Sequence, residues 1–157
     1  MPSLLMKTTP PQRQGPRAFR SMRQGSLFVS GAPGVDLVTE VNLSNLTSGG
    51  GEECGLVYRL KSPGMEFWST YINDTANLLK LSRWAFGAET IVATAAWPFA
   101  ATAELRAIIQ GGRHRIYVNG KKLIDLSDAT QNTGTGAGLF SRNATAVFFE
   151  DFYAEGL

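Results

Sequence analysis

Residues 113–127 read RHRIYVNGKKLIDLS. His114, Ile116 and Val118 alternate with Arg113, Arg115 and Tyr117, so one side of the segment is largely apolar and the other polar. Successive side chains of a strand point to opposite faces, and a period of two marks a half-buried strand. Asn119-Gly120 follows, the dipeptide best suited to a two-residue hairpin turn in which both residues have positive φ. Lys121–Leu126 is then the returning strand.

The same pattern extends outward. Val35–Leu43 (VDLVTEVNL) places Val35, Leu37, Thr39, Val41 and Leu43 on one face. Gly55–Leu60 and Glu66–Ile72 are strands joined through Ser62-Pro63-Gly64, a turn signal, and Asn73-Asp74 makes the next turn. Asn77–Trp84 sets Leu79, Leu81 and Arg83 opposite Leu78, Lys80, Ser82 and Trp84, and Ala88–Ala93 follows. In Thr94–Ala103 the alanines suit a helical turn, but Pro98 argues for a crossover loop. Glu104–Gln110 suits a helix by propensity; it reads as a strand because Leu105, Ala107 and Ile109 alternate and Gly111-Gly112 ends it at once. Ser26–Ser30, Gly138–Arg142, Ala144–Phe149 and Asp151–Ala154 complete the set. About a dozen short strands with close-spaced turns predict an all-β sandwich or barrel.

The chain has 157 residues, 43% hydrophobic and 18% charged, enough for one domain with a sizeable core and too apolar for a mostly disordered chain. A single cysteine, Cys54, and a single histidine, His114, exclude a disulfide framework and multi-histidine zinc sites. Cys54 reads as a buried filler and His114 as a partly buried structural histidine. No apolar run approaches the ~18 residues needed to span a membrane, and Met1–Met6 lacks the apolar stretch of a secretory signal. Sequons at Asn42, Asn45, Asn73 and Asn143 matter only in a secretory pathway.

Charge is unevenly placed. Residues 1–23 hold Lys7, Arg13, Arg17, Arg20 and Arg23 and no acid, whereas the rest holds ten Lys/Arg against thirteen Asp/Glu. Pro2, Pro10, Pro11 and Pro16 make residues 1–25 unsuited to helix or ladder. The expected organisation is an extended basic arm over 1–25 and a β body over 26–157. With only Phe19 among its basic residues, the arm is a poor nucleic-acid footprint. It suits a solvated tail or a strap onto another protein surface.

The last third reads IIQGGRHRIYVNGKKLIDLSDATQNTGTGAGLFSRNATAVFFEDFYAEGL, residues 108–157. The order of alternating strand, Gly-Gly turn, Tyr-Val-Asn-Gly hairpin, Asp, glycine loop, Gly-Leu and aromatic terminal strand resembles the concanavalin A-like, laminin-G-type jelly rolls. GLVYRL, FWSTYI and LLKLSRW are similar to the central strands of that family. The resemblance covers about residues 26–157. It implies a two-sheet antiparallel jelly-roll sandwich. It leaves function open, since such folds serve as lectins, glycan-binding modules, glycosidases, adhesion domains and virion proteins.

Catalysis by such a fold needs two convergent carboxylates about 5–9 Å apart. Glu52-Glu53 and Glu150-Asp151 are sequence neighbours, so each pair splits across a strand's two faces, and no catalytic function is expected. No cofactor is expected either. The resemblance allows calcium through loop aspartates, with Asp74, Asp125 and Asp128 as candidates, against which Asp128 reads as a turn cap serving Ala129 and Thr130. The Thr133–Gly138 loop lacks the setting of a phosphate cradle and reads as a close backbone approach. Trp68, Tyr71, Arg115 and Tyr117 are the candidate glycan or surface contacts: Trp68 and Tyr71 have opposite parity, so one faces outward, and Tyr117 lies outside beside Arg115.

The leading expectation is therefore a non-enzymatic structural protein of a virion or similar assembly, such as a capsid decoration or tail accessory protein of a bacteriophage. The body would be displayed, and Lys7, Arg13, Arg17, Arg20 and Arg23 would anchor it to neighbouring subunits in an oligomeric particle. The alternative is a lectin-like module that binds glycans at a cell surface or outside the cell. Membrane and nucleic-acid partners are not expected.

Overall fold

The computed structural model describes residues 19–20, 28–30, 34–61, 66–130, 133–143 and 147–157. They form strands and no helix. The strands are β1 (Phe19–Arg20), β2 (Phe28–Ser30), β3 (Leu37–Ser44), β4 (Glu53–Lys61), β5 (Glu66–Asn73) and β6 (Leu78–Ala85). They continue as β7 (Ala88–Ala96), β8 (Ala103–Gln110), β9 (Arg113–Val118), β10 (Lys121–Ser127), β11 (Gly136–Arg142) and β12 (Phe148–Gly156). Two six-stranded sheets result, in the orders β1-β12-β3-β8-β9-β10 and β2-β11-β4-β5-β6-β7, with antiparallel neighbours throughout. The jelly-roll sandwich implied by the resemblance is the observed architecture.

Alternation places the core between the sheets. Leu37, Thr39, Val41 and Leu43 of β3, Leu105, Ala107 and Ile109 of β8, and His114, Ile116 and Val118 of β9 are buried. They face Cys54, Leu56 and Tyr58 of β4, Trp68 and Ile72 of β5, and Leu79 and Leu81 of β6 across the sandwich. The leucine, isoleucine and valine side chains among them contribute about 1.5–3 kcal/mol each on burial, which opposes the cost of ordering the strands. The β9–β10 hairpin turns on Asn119 (φ +50°) and Gly120 (φ +78°), as the dipeptide predicts, and Asn119 Oδ1 accepts the Glu104 N–H at 2.8 Å. Residues 97–102 form the crossover loop, and Trp97 anchors it in the core.

Three details differ from the sequence reading. The two segments expected at 144–149 and 151–154 are one strand, β12, broken in register between Glu150 and Tyr153 where Asp151 takes φ +52°. Such an irregularity inserts residues without ending the ladder, which alternation cannot foresee. Residues 144–146 lie outside the described residues. His114 is fully rather than partly buried. Within the arm, Lys7, Arg13, Arg17 and Arg23 lie outside the described residues. The backbone of Phe19–Arg20, including Arg20, pairs with Phe149 and Phe148 of the same chain.

Two glycines allow close approach. A Cβ on Gly134 would lie 2.2 Å from the Arg59 carbonyl oxygen, consistent with the glycine loop as a site of backbone contact. A Cβ on Gly55 would lie 2.6 Å from Tyr71 Cα. Gly55 stands in register between Phe140 of β11 and Tyr71 of β5, whose rings meet with centroids 4.8 Å apart.

Among the described residues, a polar bond between Tyr58 and His114 crosses the core. Tyr58 of the second sheet and His114 of the first are joined at 2.8 Å, and His114 Nε2 lies 3.0 Å from the Asp128 carbonyl oxygen. A carbonyl only accepts, so Nε2 carries the proton and Nδ1 accepts from the Tyr58 hydroxyl. The ring packs against Trp68 at 4.3 Å between centroids, and the Trp68 indole donates to the Thr130 carbonyl at 2.9 Å. Burial pushes the His114 pKa down from 6.5 to about 4. The unfolded chain therefore takes up a proton that the folded chain refuses. Stability should be full above pH 6.5 and fall as the pH drops from 6.5 towards 4, by about 3 kcal/mol in the limit. Urea denaturation across this range measures it; His114→Gln should lose this acid-side slope, and an unchanged slope would refute the assignment.

Candidate functional site

The second sheet is apolar on its inner face, and its outer face carries the most concentrated chemistry of the described residues. Alternation sends Glu53, Gly55 and Val57 of β4 outward, with Phe67, Ser69, Tyr71 and Asn73 of β5. Lys80, Ser82 and Trp84 of β6, Glu89 of β7, and Phe140 and Arg142 of β11 join them. Register then sets rows across the sheet: Arg142 beside Glu53 and Asn73, Phe140 and Gly55 beside Tyr71 and Lys80, and Phe67 beside Trp84 and Glu89.

The rings form an apolar floor. Phe67 and Trp84 stack at 5.5 Å and 13°, Tyr71 meets Phe140 at 4.8 Å, and Trp84 meets Phe140 at 5.8 Å. The Arg142 guanidinium lies over this floor, 5.5 Å from the Trp84 ring and 5.8 Å from the Tyr71 ring. Planar guanidinium and aromatic faces attract through the ring quadrupole. Two carboxylates hold it in plane. Arg142 Nε donates to Glu53, and both terminal nitrogens lie 3.2 Å from Glu89 Oε2. Glu89 also accepts from the Tyr71 hydroxyl and, at 2.7 Å, from Ser82. Glu53 accepts from Asn73 at 2.8 Å and faces Lys80 at 3.7 Å. The Trp84 indole donates to Ser69 at 2.8 Å.

Electrostatics follow from these partners. Burial alone would raise the Glu89 pKa, but the Tyr71 and Ser82 hydroxyls and Arg142 outweigh it and hold the carboxyl below its usual range. Arg142 is pushed further up by Glu53, and burial with the Glu89 bond pushes the Tyr71 hydroxyl up. Arg142 and Lys80 are offset by Glu53 and Glu89, so the cluster is near neutral overall. Arg142 remains about a third exposed, and Trp84, Phe67 and Glu89 are half-buried, so the upper surface is open to a ligand.

The predicted contacts are not brought together. Trp68 lies in the core with no exposed surface. Tyr71 does point outward, as parity requires, but the groups above it cover it completely. Arg115 and Tyr117 lie on the outer face of the other sheet, in neighbouring rows with Ile108 and Arg106. The calcium candidates are engaged otherwise. Asp128 caps its turn, accepting the Thr130 N–H at 2.8 Å, and faces Arg83 at 3.4 Å. Asp125 is held well below the usual carboxylate range by Arg113 and Lys122.

Asp74 is buried beside Glu52. Its Oδ1 accepts the Glu52 N–H at 2.8 Å, while its Oδ2 is buried without a partner. Two carboxylates fall short of the six to eight oxygens calcium gathers. Among the described residues no group of three or more His, Cys, Asp or Glu could hold a metal ion. The donor set therefore does not fit calcium. As strand parity predicts, Glu52 and Glu53 diverge: Glu53 joins the outer cluster and Glu52 turns to Asp74.

Arg142, Glu89 and Phe140 escape a reading of sequence alone. Their parity is legible, but the neighbour order β11-β4-β5-β6-β7 that assembles them is not.

No family model and no curated protein matches the chain. Solved structures do. The chain is similar to the carbohydrate-binding module CBM66 of Bacillus subtilis, with TM-score 0.76 and 21% identity over 87% of this chain and 84% of that one. It is similar to the galectin LEC-6 of Caenorhabditis elegans, with TM-score 0.65 and 14% identity over 88% of this chain and 95% of that one. It also aligns with an Aspergillus kawachii beta-fructofuranosidase, with TM-score 0.67 and 11% identity, covering 90% of this chain but 26% of that enzyme. These likenesses define the class of fold, a jelly-roll β-sandwich.

Burial, with Asp74 beside it, raises the Glu52 pKa. A group whose pKa is raised by folding favours the folded state at low pH, and that contribution fades as the pH rises through the raised value. Glu52→Gln keeps the neutral form throughout. Its thermal midpoint should therefore gain on the wild type as the pH is raised from 5 to 8; a constant difference would show that Glu52 is already ionised in the fold.

Proposed function

We propose that the protein is a non-catalytic carbohydrate-binding module that reads its sugar on the outer face of the second sheet. The observation that carries this reading is Arg142, fixed between Glu53 and Glu89 above the Phe67–Trp84–Phe140 floor. A sugar ring offers an apolar face and a rim of hydroxyls. The aromatic floor suits the first, and the planar donors and acceptors of Arg142, Glu89 and Lys80 suit the second. The near-neutral cluster fits an uncharged polyol better than an ionic ligand. Ordering costs are low, because the polar groups already hold one another in place.

The same geometry argues against hydrolysis. A glycosidase keeps one carboxyl protonated as its acid. Glu89 is held below its usual range, Glu53 is paired with Arg142, and Glu52, whose pKa is raised, lies with Asp74 rather than in the cluster.

The fold neighbours support the binding reading over the virion-protein one. One is a carbohydrate-binding module by name and another a galectin; neither is a virion protein. The assembly reading rests on Lys7, Arg13, Arg17, Arg20 and Arg23, of which all but Arg20 lie outside the described residues. A place at a cell surface or outside the cell accords with a glycan partner.

Because one neighbour is a beta-fructofuranosidase, fructo-oligosaccharides are the first probes, followed by a glycan array. Arg142→Ala should weaken binding by roughly 10–100-fold, the cost of one or two hydrogen bonds to a charged group. Arg142→Lys should recover part of it. Calorimetric titration, with circular dichroism to confirm the fold, decides. Binding unchanged in Arg142→Ala, or abolished instead by Tyr117→Ala, would move the site elsewhere.

A further inference from the structure

The hairpin joining β6 to β7 turns on Phe86 (φ +51°) and Gly87 (φ +82°). Its backbone nearly repeats that of Asn119-Gly120, where φ is +50° and +78°. At Asn119 the residue suits the conformation, and its side chain also caps the Glu104 N–H. Phe86 does neither. A bulky aromatic is disfavoured in the left-handed region, where its Cβ crowds the backbone. The ring is 71% exposed, the most exposed large hydrophobic among the described residues, and it makes no ring contact there. Neither turn nor core selects phenylalanine at this position. Residues held in such strained backbone regions cluster at ligand-binding sites.

The place of Phe86 says which ligand. Trp84 precedes it by two residues, and Glu89 follows on the returning strand as the register partner of Trp84. Phe86 opens the turn directly after β6, so it lies next along the hairpin from Trp84. We propose that Phe86 is a second stacking platform that takes a further unit of a glycan whose first unit sits at Trp84 and Arg142. The ligand is then an oligosaccharide lying along the β6–β7 hairpin, rather than a single sugar. This rests on the carbohydrate-binding reading and extends its site.

The test is calorimetric titration of the full chain with fructo-oligosaccharides of increasing length, for the wild type, Phe86→Asn and Phe86→Tyr. The wild type should gain roughly 3–10-fold in affinity on passing from the shortest to longer chains, the worth of one aromatic contact. Phe86→Asn should bind the shortest chain as the wild type does and lose that gain. Because asparagine suits the turn, its thermal midpoint should rise by about 2–4 °C. Phe86→Tyr should keep the gain. Equal length dependence in wild type and Phe86→Asn would overturn the inference while leaving the Arg142 site standing. No binding at any length would remove both. If sedimentation shows a wild-type dimer that Phe86→Asn dissolves, the ring serves a second copy of the chain, and the glycan role is overturned.

Discussion

The sheet β2-β11-β4-β5-β6-β7 is packed on both of its faces, and the rest of the molecule depends on that. β4 is buried continuously from Glu53 to Leu60. On one side Leu56, Tyr58, Trp68, Ile72, Leu79 and Leu81 close the sandwich core; on the other Val57, Leu60, Tyr71 and Phe140 form a second apolar cluster with Phe67 and Trp84. A sheet with one wet face needs no such layer. Once the layer exists, a guanidinium lying on it has lost part of its water and must find fixed partners, which Glu53 and Glu89 supply. Removing one partner would leave a partly desolvated charge, so the three groups stand as a unit.

The two sheets are held in relation by burial and by polar bridges, one of which runs through the core. The Tyr58–His114 bond and the His114–Asp128 bond tie the second sheet, the first sheet and the 128–130 turn to one another. Apolar contacts are tolerant of small slips, whereas this chain of directional bonds is not. The bridge thus fixes the turn that Trp68 also grips through Thr130. Arg59, the next residue of β4 after Tyr58, does similar work. It leaves the ladder with φ +50° and donates to the Val35 carbonyl at 3.0 Å.

Much of this was legible in local sequence, because local rules govern it. Alternation in Val35–Leu43 and Arg113–Val118 matches the observed inward faces. Asn119-Gly120 turns as its residue types require, and Asp128 caps Thr130. The candidate site was legible only in part. Parity put Tyr71 on the outer face, but nothing near it in sequence says that Phe140 and Arg142, about seventy residues later, lie across β4 from it. Trp68 looked available as a platform because aromatic content does not reveal which face is the core. Arg115 and Tyr117 share an outward face in neighbouring rows, yet it belongs to the opposite sheet. Strand order is a global property, and it decides which outward residues become neighbours.

The central claim is that the outer aromatic and ionic layer of the second sheet is a sugar-binding surface. Amide chemical-shift mapping of the isotope-labelled chain during titration with a fructo-oligosaccharide, or with the glycan an array selects, tests it most directly. The account predicts perturbations concentrated in Phe67–Tyr71, Lys80–Glu89 and Phe140–Arg142, with Arg113–Tyr117 unmoved. Shifts centred on Arg106, Arg115 and Tyr117, or confined to loops at the ends of the sandwich, would contradict it.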